Sequence, residues 1–395
     1  MIPKLKPYYN KEELKLFFTY NNESIIKFEQ KFAKHFNSKF GLAFTSGRAG
    51  LYAFLKSQKL SNAEVLTPAY NCIVVQNAIV ISGNIPTFSD ISTRDYNSSA
   101  DLLKKAITPK TKAIIPTHMY GYPVDISPIL DSVGEGVYII QDCCLGLGTT
   151  VKGKYVATQG DIAMYSFGIG KQISTLDGGM ITTDNEEIYE KLRNFRDQNL
   201  IKPRISSRIF KRLYLPASFV ITNNNVYNFI YLLWKNTKIL HPYTQTWSLN
   251  NIYLPKNHNE HYTKFQAKIG LVQIKKIDEI LEKREKIVKY YNKTLSGIKT
   301  IKLPPIIKGA TYSHYVPMVN GRTDFLKKMA SKGIHVGLNF DYSVPHTTAY
   351  KNYANQKEYE NSLICANKIV NLPNYPSLTK EEQDHIINST IESLS

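Results

Sequence analysis

The sequence predicts an α/β fold in which a mostly parallel sheet is flanked by helices, followed by a smaller C-terminal α+β domain. Three observations predict it: the length of 395 residues, the alternation of short apolar runs with helix-length stretches in the first half, and a change to long helical patterns in the second half. Alternating strands and helices are typical of parallel strands joined by crossover helices. The length is enough for two domains around one large core.

The elements of the first half follow from the spacing of apolar residues. Ile25, Phe28, Phe32 and Phe36 recur at steps of three or four, which predicts a helix over 23–36. Short apolar runs bounded by turn residues predict strands over 65–68, 85–88, 113–116, 137–142, 162–167 and 180–182. Helix-length stretches between them lie at 73–82, 100–107 and 127–133. This order predicts one sheet with helices on both faces.

The second half begins with a long amphipathic pattern over 265–295, which predicts a single helix. Its apolar stripe consists of Ile277, Ile280, Leu281, Ile287, Val288 and Tyr291. Beyond it we expect strands at 312–319 and 335–340 and helices at 363–370 and 380–393. The change of pattern divides the chain into a large domain, 1–260, and a small C-terminal domain, 261–395.

Composition restricts the class of protein. With 43% hydrophobic and 21% charged residues, the chain is neither a disordered tail nor a fibre. The net charge of +18 does not by itself distinguish nucleic acid, anionic lipid or an acidic small molecule as partner. The cysteines lack zinc and disulfide spacing, and the histidines form no metal-ligating motif. Because of this spacing we expect no bound metal. Residues 1–7 have no secretion-signal pattern, so we expect a cytoplasmic protein.

One segment, 198–259, contains no acidic residue and both tryptophans, Trp234 and Trp247. Its basic residues are Lys202, Arg204, Arg208, Lys211, Arg212, Lys235, Lys238 and Lys256. Two interpretations stay open: a helical insertion that is solvated or faces another subunit, or a patch over 202–238 that contacts a membrane surface or a polyanion.

Three stretches carry residues suited to chemistry. The apolar strand 137–142 ends on Asp142, and the carboxyl ends of strands in an open α/β sheet line the ligand crevice. Residues 166–171, Ser-Phe-Gly-Ile-Gly-Lys, leave another strand and hold Lys171 on a short glycine-flanked loop. Residues 45–51, Thr-Ser-Gly-Arg-Ala-Gly-Leu, resemble a tight turn that opens a helix, where backbone N–H groups bind phosphate.

Each stretch alone has an ordinary structural explanation, as a helix cap, a turn or a surface charge. Together they meet the demands of pyridoxal 5′-phosphate. That cofactor needs a lysine amine for covalent attachment, a carboxylate that keeps the pyridine nitrogen protonated, and a phosphate cradle.

With these residues in place, the sequence resembles the DegT/DnrJ/EryC1/StrS family of sugar aminotransferases over nearly the whole chain. The Ser-Phe-x-x-x-Lys run at 166–171 with the downstream Gly178-Gly179 is the most specific match. Further matches lie at 2–7, 44–47, 65–68, 117–121, 265–270, 345–346 and 371–373. The resemblance implies an aspartate aminotransferase-like PLP fold type I and a homodimer with the active site at the subunit interface. It also implies a PLP-dependent aminotransferase that converts a keto sugar, most often nucleotide-linked, to an amino sugar with a donor such as glutamate.

The resemblance assigns a role to individual residues. Lys171 would hold the cofactor covalently and Asp142 would pair with the pyridinium. The backbone amides of Gly47, Arg48 and Ala49, with the Ser166 hydroxyl beside them, would bind the phosphate. A side chain over the ring would come from Tyr70, which stacks better physically, or from Cys72, which the spacing favours. His346 would face the substrate.

The sequence also departs from the family's pattern. Leu145 stands where many members have Gln, Arg48 where Thr is usual and Gly168 where His is frequent, and the insertion replaces an Asn-Tyr-Arg run. These departures bear on the substrate more than on the cofactor. Two alternatives stay open: a PLP-dependent sugar dehydratase, which Lys171 disfavours because that branch tends to have His there, and a non-catalytic relative that binds a membrane or a polyanion. No nucleic-acid motif accompanies the charge, so nucleic acid is not an expected partner.

Overall fold

The computed structural model describes residues 1–19, 24–130, 133–237 and 247–394, and a seven-stranded sheet forms the centre of its N-terminal part. In chain order the strands are β1 Phe40–Phe44, β2 Glu64–Pro68, β3 Ile85–Ser89, β4 Thr111–Ile114, β5 Tyr138–Asp142, β6 Thr150–Val151, β7 Lys154–Tyr155, β8 Ile162–Ser166, β9 Gly179–Thr183, β10 Ile301–Lys302 and β11 Met318–Val319. The large sheet has the order β1-β9-β8-β5-β4-β2-β3, and β6 with β7 and β10 with β11 form two small pairs.

Only β9 runs against its neighbours in the large sheet. It is antiparallel to β1 and β8, whereas β8, β5, β4, β2 and β3 are mutually parallel. The six strands predicted for the first half are therefore confirmed within a few residues, and so is the mostly parallel α/β fold. Strand β1 was not predicted, because Gly41 interrupts its apolar run. A Cβ at Gly41 would lie 2.8 Å from the Glu29 carbonyl oxygen, so the close packing of the preceding helix requires this glycine.

The helices of the described residues cover both faces of the sheet. They are α1 Lys11–Lys15, α2 Ile25–His35, α3 Gly47–Ser57, α4 Ile73–Ile81, α5 Ala100–Ala106, α6 Ser127–Leu130, α7 Glu186–Asn199, α8 Ile205–Ile221, α9 Asn224–Asn236, α10 Lys264–Ile274, α11 Ile277–Leu295, α12 Arg322–Ser331, α13 Glu360–Lys368 and α14 Lys380–Leu394. Phe28 and Phe32 of α2 pack in one core cluster with strand residues, and Leu51 and Phe54 of α3 pack in another. Burial of these large side chains on two faces accounts for the alternation in the sequence.

The second half differs from the prediction in three places. The helix predicted over 265–295 is two helices, α10 and α11, because the chain turns at Lys276, whose ammonium is drawn inward to the buried Glu13 carboxylate at 2.7 Å. The strand predicted over 312–319 is reduced to β11, and 335–340 forms no strand. Both stretches are apolar because they fill a core. Apart from the two residues of β11, the described backbones of these stretches pair through isolated bridges such as Gly337 to Asn371.

The other helices that the sequence predicts agree with the structure. Helices α13 and α14 confirm those predicted over 363–370 and 380–393. Helix α6 occupies the start of the helix predicted over 127–133, of which residues 131–132 lie outside the described part, as does Glu23 before α2. The division at residue 260 stays a prediction. Helix α10 packs on α2, and Gly270 lies so close to Phe28 that a Cβ there would be 2.3 Å from the ring.

The insertion forms the two helices α8 and α9, and Lys238 at its predicted basic end lies outside the described residues. Two of its basic side chains are paired with acids beyond the insertion: Arg204 with Glu260 at 2.7 Å, and the buried Lys211 with Asp177 at 3.2 Å. In the part of the chain that the structure describes, none of the helices has the length and apolar character that a membrane span requires.

Candidate active site

The carboxyl ends of β1, β2, β5 and β8 meet at one edge of the sheet, because these strands run in the same direction. The residues that follow them surround a cleft of about 700 Å³, which we call the central cavity. Six of the residues predicted from the sequence line it, namely Gly47, Arg48, Cys72, Asp142, Ser166 and Lys171.

Asp142 is the last residue of β5 and is nearly fully buried. Its Oδ1 accepts a hydrogen bond of 3.0 Å from the backbone N–H of Cys144. Burial raises the pKa of the Asp142 carboxyl, while the bond from Cys144 and the positive charge of Lys171 oppose that shift. A buried carboxylate of this kind gains most from a cationic partner inside the cavity.

Lys171 lies at the end of a tight turn, in which its N–H donates to the carbonyl of Gly168 at 3.0 Å. The loop is fixed on both sides. Phe167 N–H donates to the Gly178 carbonyl at 2.8 Å, and Thr175 N–H donates to the Phe167 carbonyl at 2.9 Å. The backbone therefore holds the lysine against the cavity instead of leaving it on a free surface loop.

Helix α3 begins at the cavity wall. Its N-cap residue, Ser46, accepts a hydrogen bond of 3.2 Å from the Ala49 N–H. The first N–H groups of a helix have no partner within the helix, and together with the helix dipole they favour an anion. Because the Ala49 amide is already bonded to Ser46, the role of Ala49 in holding phosphate stays a prediction.

The Gly178-Gly179 pair brings β9 against this helix start. Gly178 has a φ of +132°, and a Cβ there would lie 2.6 Å from the Tyr262 ring. A Cβ at Gly179 would lie 2.3 Å from the Gly47 nitrogen and 2.4 Å from the Ser46 carbonyl carbon, both backbone atoms. Only glycine permits this approach, which gives the motif a physical reason.

We therefore expect Gly179→Ala to shift the start of α3, to lower the thermal unfolding temperature and to weaken binding of pyridoxal 5′-phosphate by at least about tenfold, since overpacking costs about 1–3 kcal/mol. Unfolding followed by circular dichroism and a fluorescence titration measure the two effects. Gly297→Ala is the matched control, because nothing lies within 4 Å of a Cβ at that position. Wild-type cofactor affinity in Gly179→Ala would contradict this account of the helix start.

The side chain of Arg48 also lines the central cavity. Burial lowers the pKa of its guanidinium, and the neighbouring Cys72 and Tyr253 act in the opposite direction. Burial likewise raises the pKa of the nearby Cys144 thiol well above its usual value, and the Asp142 charge adds to this shift. Cys144 therefore stays a neutral thiol.

The structure separates the two residues between which the sequence left a choice. Cys72 is the residue at the N-cap position of α4, where its side chain makes no capping hydrogen bond, and it lines the cavity. Tyr70 does not line it: its buried hydroxyl is bonded to that of Tyr120 at 2.8 Å within a cluster of aromatic rings. His346 is also outside the lining and pairs through Nδ1 with the Ser343 hydroxyl at 3.0 Å, so its contact with substrate stays a prediction.

Several lining residues were missed by sequence reasoning. Trp247 comes from the insertion and packs on Tyr342 at 5.4 Å between ring centroids, and Phe340 comes from the second half of the chain. Thr117 and Asn71 are bonded to each other at 3.0 Å beside Asp142. Thr117 opens a run that matches the family, which is a weak signal, whereas no local pattern marks Trp247 or Phe340.

Comparison with known proteins identifies a family and a fold. The sequence profile of the DegT/DnrJ/EryC1/StrS aminotransferase family matches residues 13–390. An uncharacterized protein of Methanocaldococcus jannaschii is 29% identical over 381 residues, which cover 94% of this chain and 90% of that protein. A GDP-perosamine synthase of Escherichia coli O157:H7 is 26% identical over 381 residues, again 94% of this chain and 90% of that protein. Among solved structures, the aminotransferase TlmJ of Streptoalloteichus hindustanus is 20% identical, aligns over 100% of this chain and 99% of its own, and gives a TM-score of 0.78. This likeness confirms the predicted type I fold.

Proposed function

The chain belongs to the DegT/DnrJ/EryC1/StrS aminotransferase family and is a PLP-dependent transaminase, and from this premise we propose that it aminates a nucleotide-linked keto sugar with an amino acid such as glutamate as donor. The observation that carries the proposal is the central cavity itself. Lys171, Asp142 and the start of α3 come from three separate stretches of sequence and line one cavity. The name of the Escherichia coli relative, a GDP-perosamine synthase, supports a nucleotide-linked sugar.

The residues on the cavity walls fit pyridoxal 5′-phosphate by their chemistry. We assign the lysine amine of Lys171 to the aldehyde, the buried Asp142 carboxylate to the ring nitrogen, and the start of α3 with the Ser166 hydroxyl to the phosphate. Cys72, and not Tyr70, is then the side chain proposed to lie over the ring. When bound, this cofactor supplies an electron sink for bond breaking at the α-carbon of the amino donor.

The chain's own residues supply proton transfer and orientation. The Lys171 Nζ is the amine on the cavity wall that can accept a proton from the donor α-carbon and return one to the sugar carbon, since Arg48 stays protonated. The Asp142 carboxylate stabilises positive charge on the group that it faces. Leu145 and Met164 give the lining an apolar part that excludes water.

A transaminase and a sugar dehydratase are distinguished by their products. We propose the transaminase because the cavity presents a lysine at position 171. Mass spectrometry after incubation with glutamate and a panel of nucleotide-linked keto sugars should show an amino sugar whose mass reflects replacement of the keto oxygen by an amine. A dehydrated sugar, or no change with any member of the panel, would overturn the proposal.

The finer proposals concern assembly and location. We propose a homodimer in the cytoplasm. A molar mass of one chain by light scattering would contradict the homodimer.

We also propose that α8 contacts an anionic membrane surface. Ile205, Ile209 and Leu213 lie four residues apart on one helix face and are 66%, 55% and 57% exposed, and Lys202 and Arg208 are exposed beside them.

Replacing Ile209 and Leu213 together by serine should lower binding to phosphatidylserine vesicles by at least about tenfold, because each apolar side chain contributes about 1.5–3 kcal/mol when buried. Cosedimentation with vesicles measures it, and neutral phosphatidylcholine vesicles should bind the wild type less. Leu363→Ser, at a site 37% exposed on α13, is the control. Equal sedimentation of all three proteins would contradict the contact, and a change of molar mass in the double variant would assign this face to a second copy of the chain.

A further inference from the structure

Two further cavities adjoin the central cavity. One, the polar cavity, is lined by residues that include Lys6, Gly170, Arg284 and Asn339. At two places, consecutive residues line the two cavities. Gly170 lines the polar cavity and Lys171 the central cavity, and in the same way Asn339 lines the polar cavity and Phe340 the central cavity. Consecutive Cα atoms are only about 3.8 Å apart, so the two cavities are neighbours.

The lining of the polar cavity includes four buried residues that each keep one polar atom unbonded. Arg284, Asn371, Asn374 and Tyr375 are at most 6% exposed. Each has one polar atom without a hydrogen-bond partner among the described residues: Arg284 Nε, Asn371 Nδ2, Asn374 Oδ1 and the Tyr375 hydroxyl. Buried polar atoms of this kind are costly unless something pairs with them, and at least two of the four are N–H donors.

The second cavity, which we call the aromatic cavity, has about 990 Å³ of open space and adjoins the polar one. Tyr231 and Trp234 of α9 line it, with ring centroids 6.3 Å apart. His335 lies 4.8 Å from the Tyr231 ring, and its Nδ1 is bonded to the Tyr227 hydroxyl at 2.7 Å. Flat aromatic walls of this kind are suited to the π-face of a planar ring.

The N-terminal residues form a strap between the two cavities. The Met1 amino group donates to the Asn224 carbonyl at 3.1 Å, and the Ile2 N–H donates to the Gly333 carbonyl at 2.8 Å. Lys4 lines both cavities, with its Nζ 5.6 Å from the centroid of the Trp234 ring, and Lys6 lines the polar cavity. The strap therefore places two ammonium groups at the junction.

The charge at this junction is of one sign. Among the described residues that line the polar and aromatic cavities there is no carboxylate, whereas Lys4, Lys6 and Arg284 are basic. Burial lowers the pKa of the Lys4 ammonium and lowers that of the Arg284 guanidinium to about 10, so an anion bound beside them would favour their charged forms. His314 and His335 stay neutral at pH 7, because burial lowers the pKa of each to about 3. Cations without acids next to aromatic walls favour a ligand that combines an anionic group with a planar ring.

We propose that the aromatic cavity binds the nucleoside diphosphate part of the substrate, with its base against the Tyr231 and Trp234 rings and its phosphates at the junction with the polar cavity, beside Lys4 and Lys6. This inference rests on the proposed function, because it extends the same substrate away from Lys171. It assigns α9 of the insertion to substrate recognition, which the family resemblance does not do.

The two tryptophans make the proposal measurable, since Trp247 lines the central cavity and Trp234 the aromatic cavity. In the full-length, cofactor-loaded Trp247→Phe variant, Trp234 is the only tryptophan. Titration with UDP, GDP, dTDP and ADP should quench its fluorescence saturably for at least one of them. Inorganic pyrophosphate should bind much more weakly, since it lacks the base.

Calorimetry distinguishes the contribution of the base to the affinity from that of the phosphates. Trp234→Ala should weaken binding of the best nucleoside diphosphate by about tenfold or more, as loss of a base–aromatic stack does, and should leave pyrophosphate binding unchanged. The double variant Lys4→Ala and Lys6→Ala should weaken both ligands. Lys327→Ala, an exposed lysine on α12, is the charge-matched control and should change neither.

Two results would overturn the proposal: no saturable quenching with any of the four nucleotides, or equal nucleotide affinity in the wild type and Trp234→Ala. If Trp234→Ala does not fold, Trp234→Phe and Tyr231→Ala replace it, with near wild-type and weakened binding expected respectively. The proposed function is tested by a different measurement. Glutamate alone should change the absorbance of the bound cofactor, and that reaction needs no nucleotide, so either result can occur without the other.

Discussion

Replacing Lys171 by alanine should abolish the absorbance band of covalently bound cofactor and lower transaminase activity by at least about 10³-fold, a loss expected when one residue is both the attachment point and the general base. Lys171 is the amine that the described lining of the central cavity provides, and its turn and flanking loop are fixed by backbone bonds. Spectra of the reconstituted protein and a steady-state assay measure the two quantities.

The control variants distinguish the loss of the positive charge of Lys171 from the loss of covalent attachment of the cofactor. Lys171→Arg keeps a cation but cannot form the covalent bond, so it should lose the band while retaining noncovalent cofactor. Lys154→Ala, at an exposed lysine of β7, should retain both the band and the activity. A band or near wild-type turnover in Lys171→Ala would refute the assignment of Lys171.

Replacing Asp142 by the isosteric asparagine should lower turnover by about 10²–10³-fold, the usual effect of removing one charge that stabilises a transition state. The reason is that the amide cannot keep the group it faces protonated. Because turnover should fall far more than cofactor affinity, single-turnover kinetics and a cofactor titration on the same samples test the assignment. A change confined to the Michaelis constants would contradict it.

The same substitution should stabilise the cofactor-free protein at pH 7. Burial raises the pKa of Asp142 in the folded state, so ionising it costs more there than in the unfolded chain, where the pKa is about 3.9. This ionisation therefore lowers the stability of the wild type progressively as the pH rises above about 4, and Asp142→Asn lacks this contribution. The unfolding temperature of the variant should exceed that of the wild type at pH 7, and the difference should disappear below about pH 4. A lower unfolding temperature for the variant at pH 7 would mean that Asp142 is mainly structural.

How much of the site could be predicted depends on where its residues come from. Asp142, Lys171 and the start of α3 follow strands or open a helix, and their positions at one sheet edge follow from strand direction alone. Cys72 and Tyr70 are only two residues apart, so their opposite positions depend on where α4 begins and which side chain the core accepts. Trp247 and Phe340 enter the cavity from distant parts of the chain, and local periodicity does not specify such contacts.

The sequence alone determined the class of fold, six of the seven strands of the large sheet, and the positions of Asp142 and Lys171 at the end of one strand and just after another, because apolar periodicity and turn residues act over a few neighbouring positions. Tertiary structure decided the direction of β9, the break between α10 and α11, and the joining of the N-terminal strap with α9 around the aromatic cavity. These features arise from packing between residues that are far apart in sequence, where burial and close backbone approach outweigh local preference.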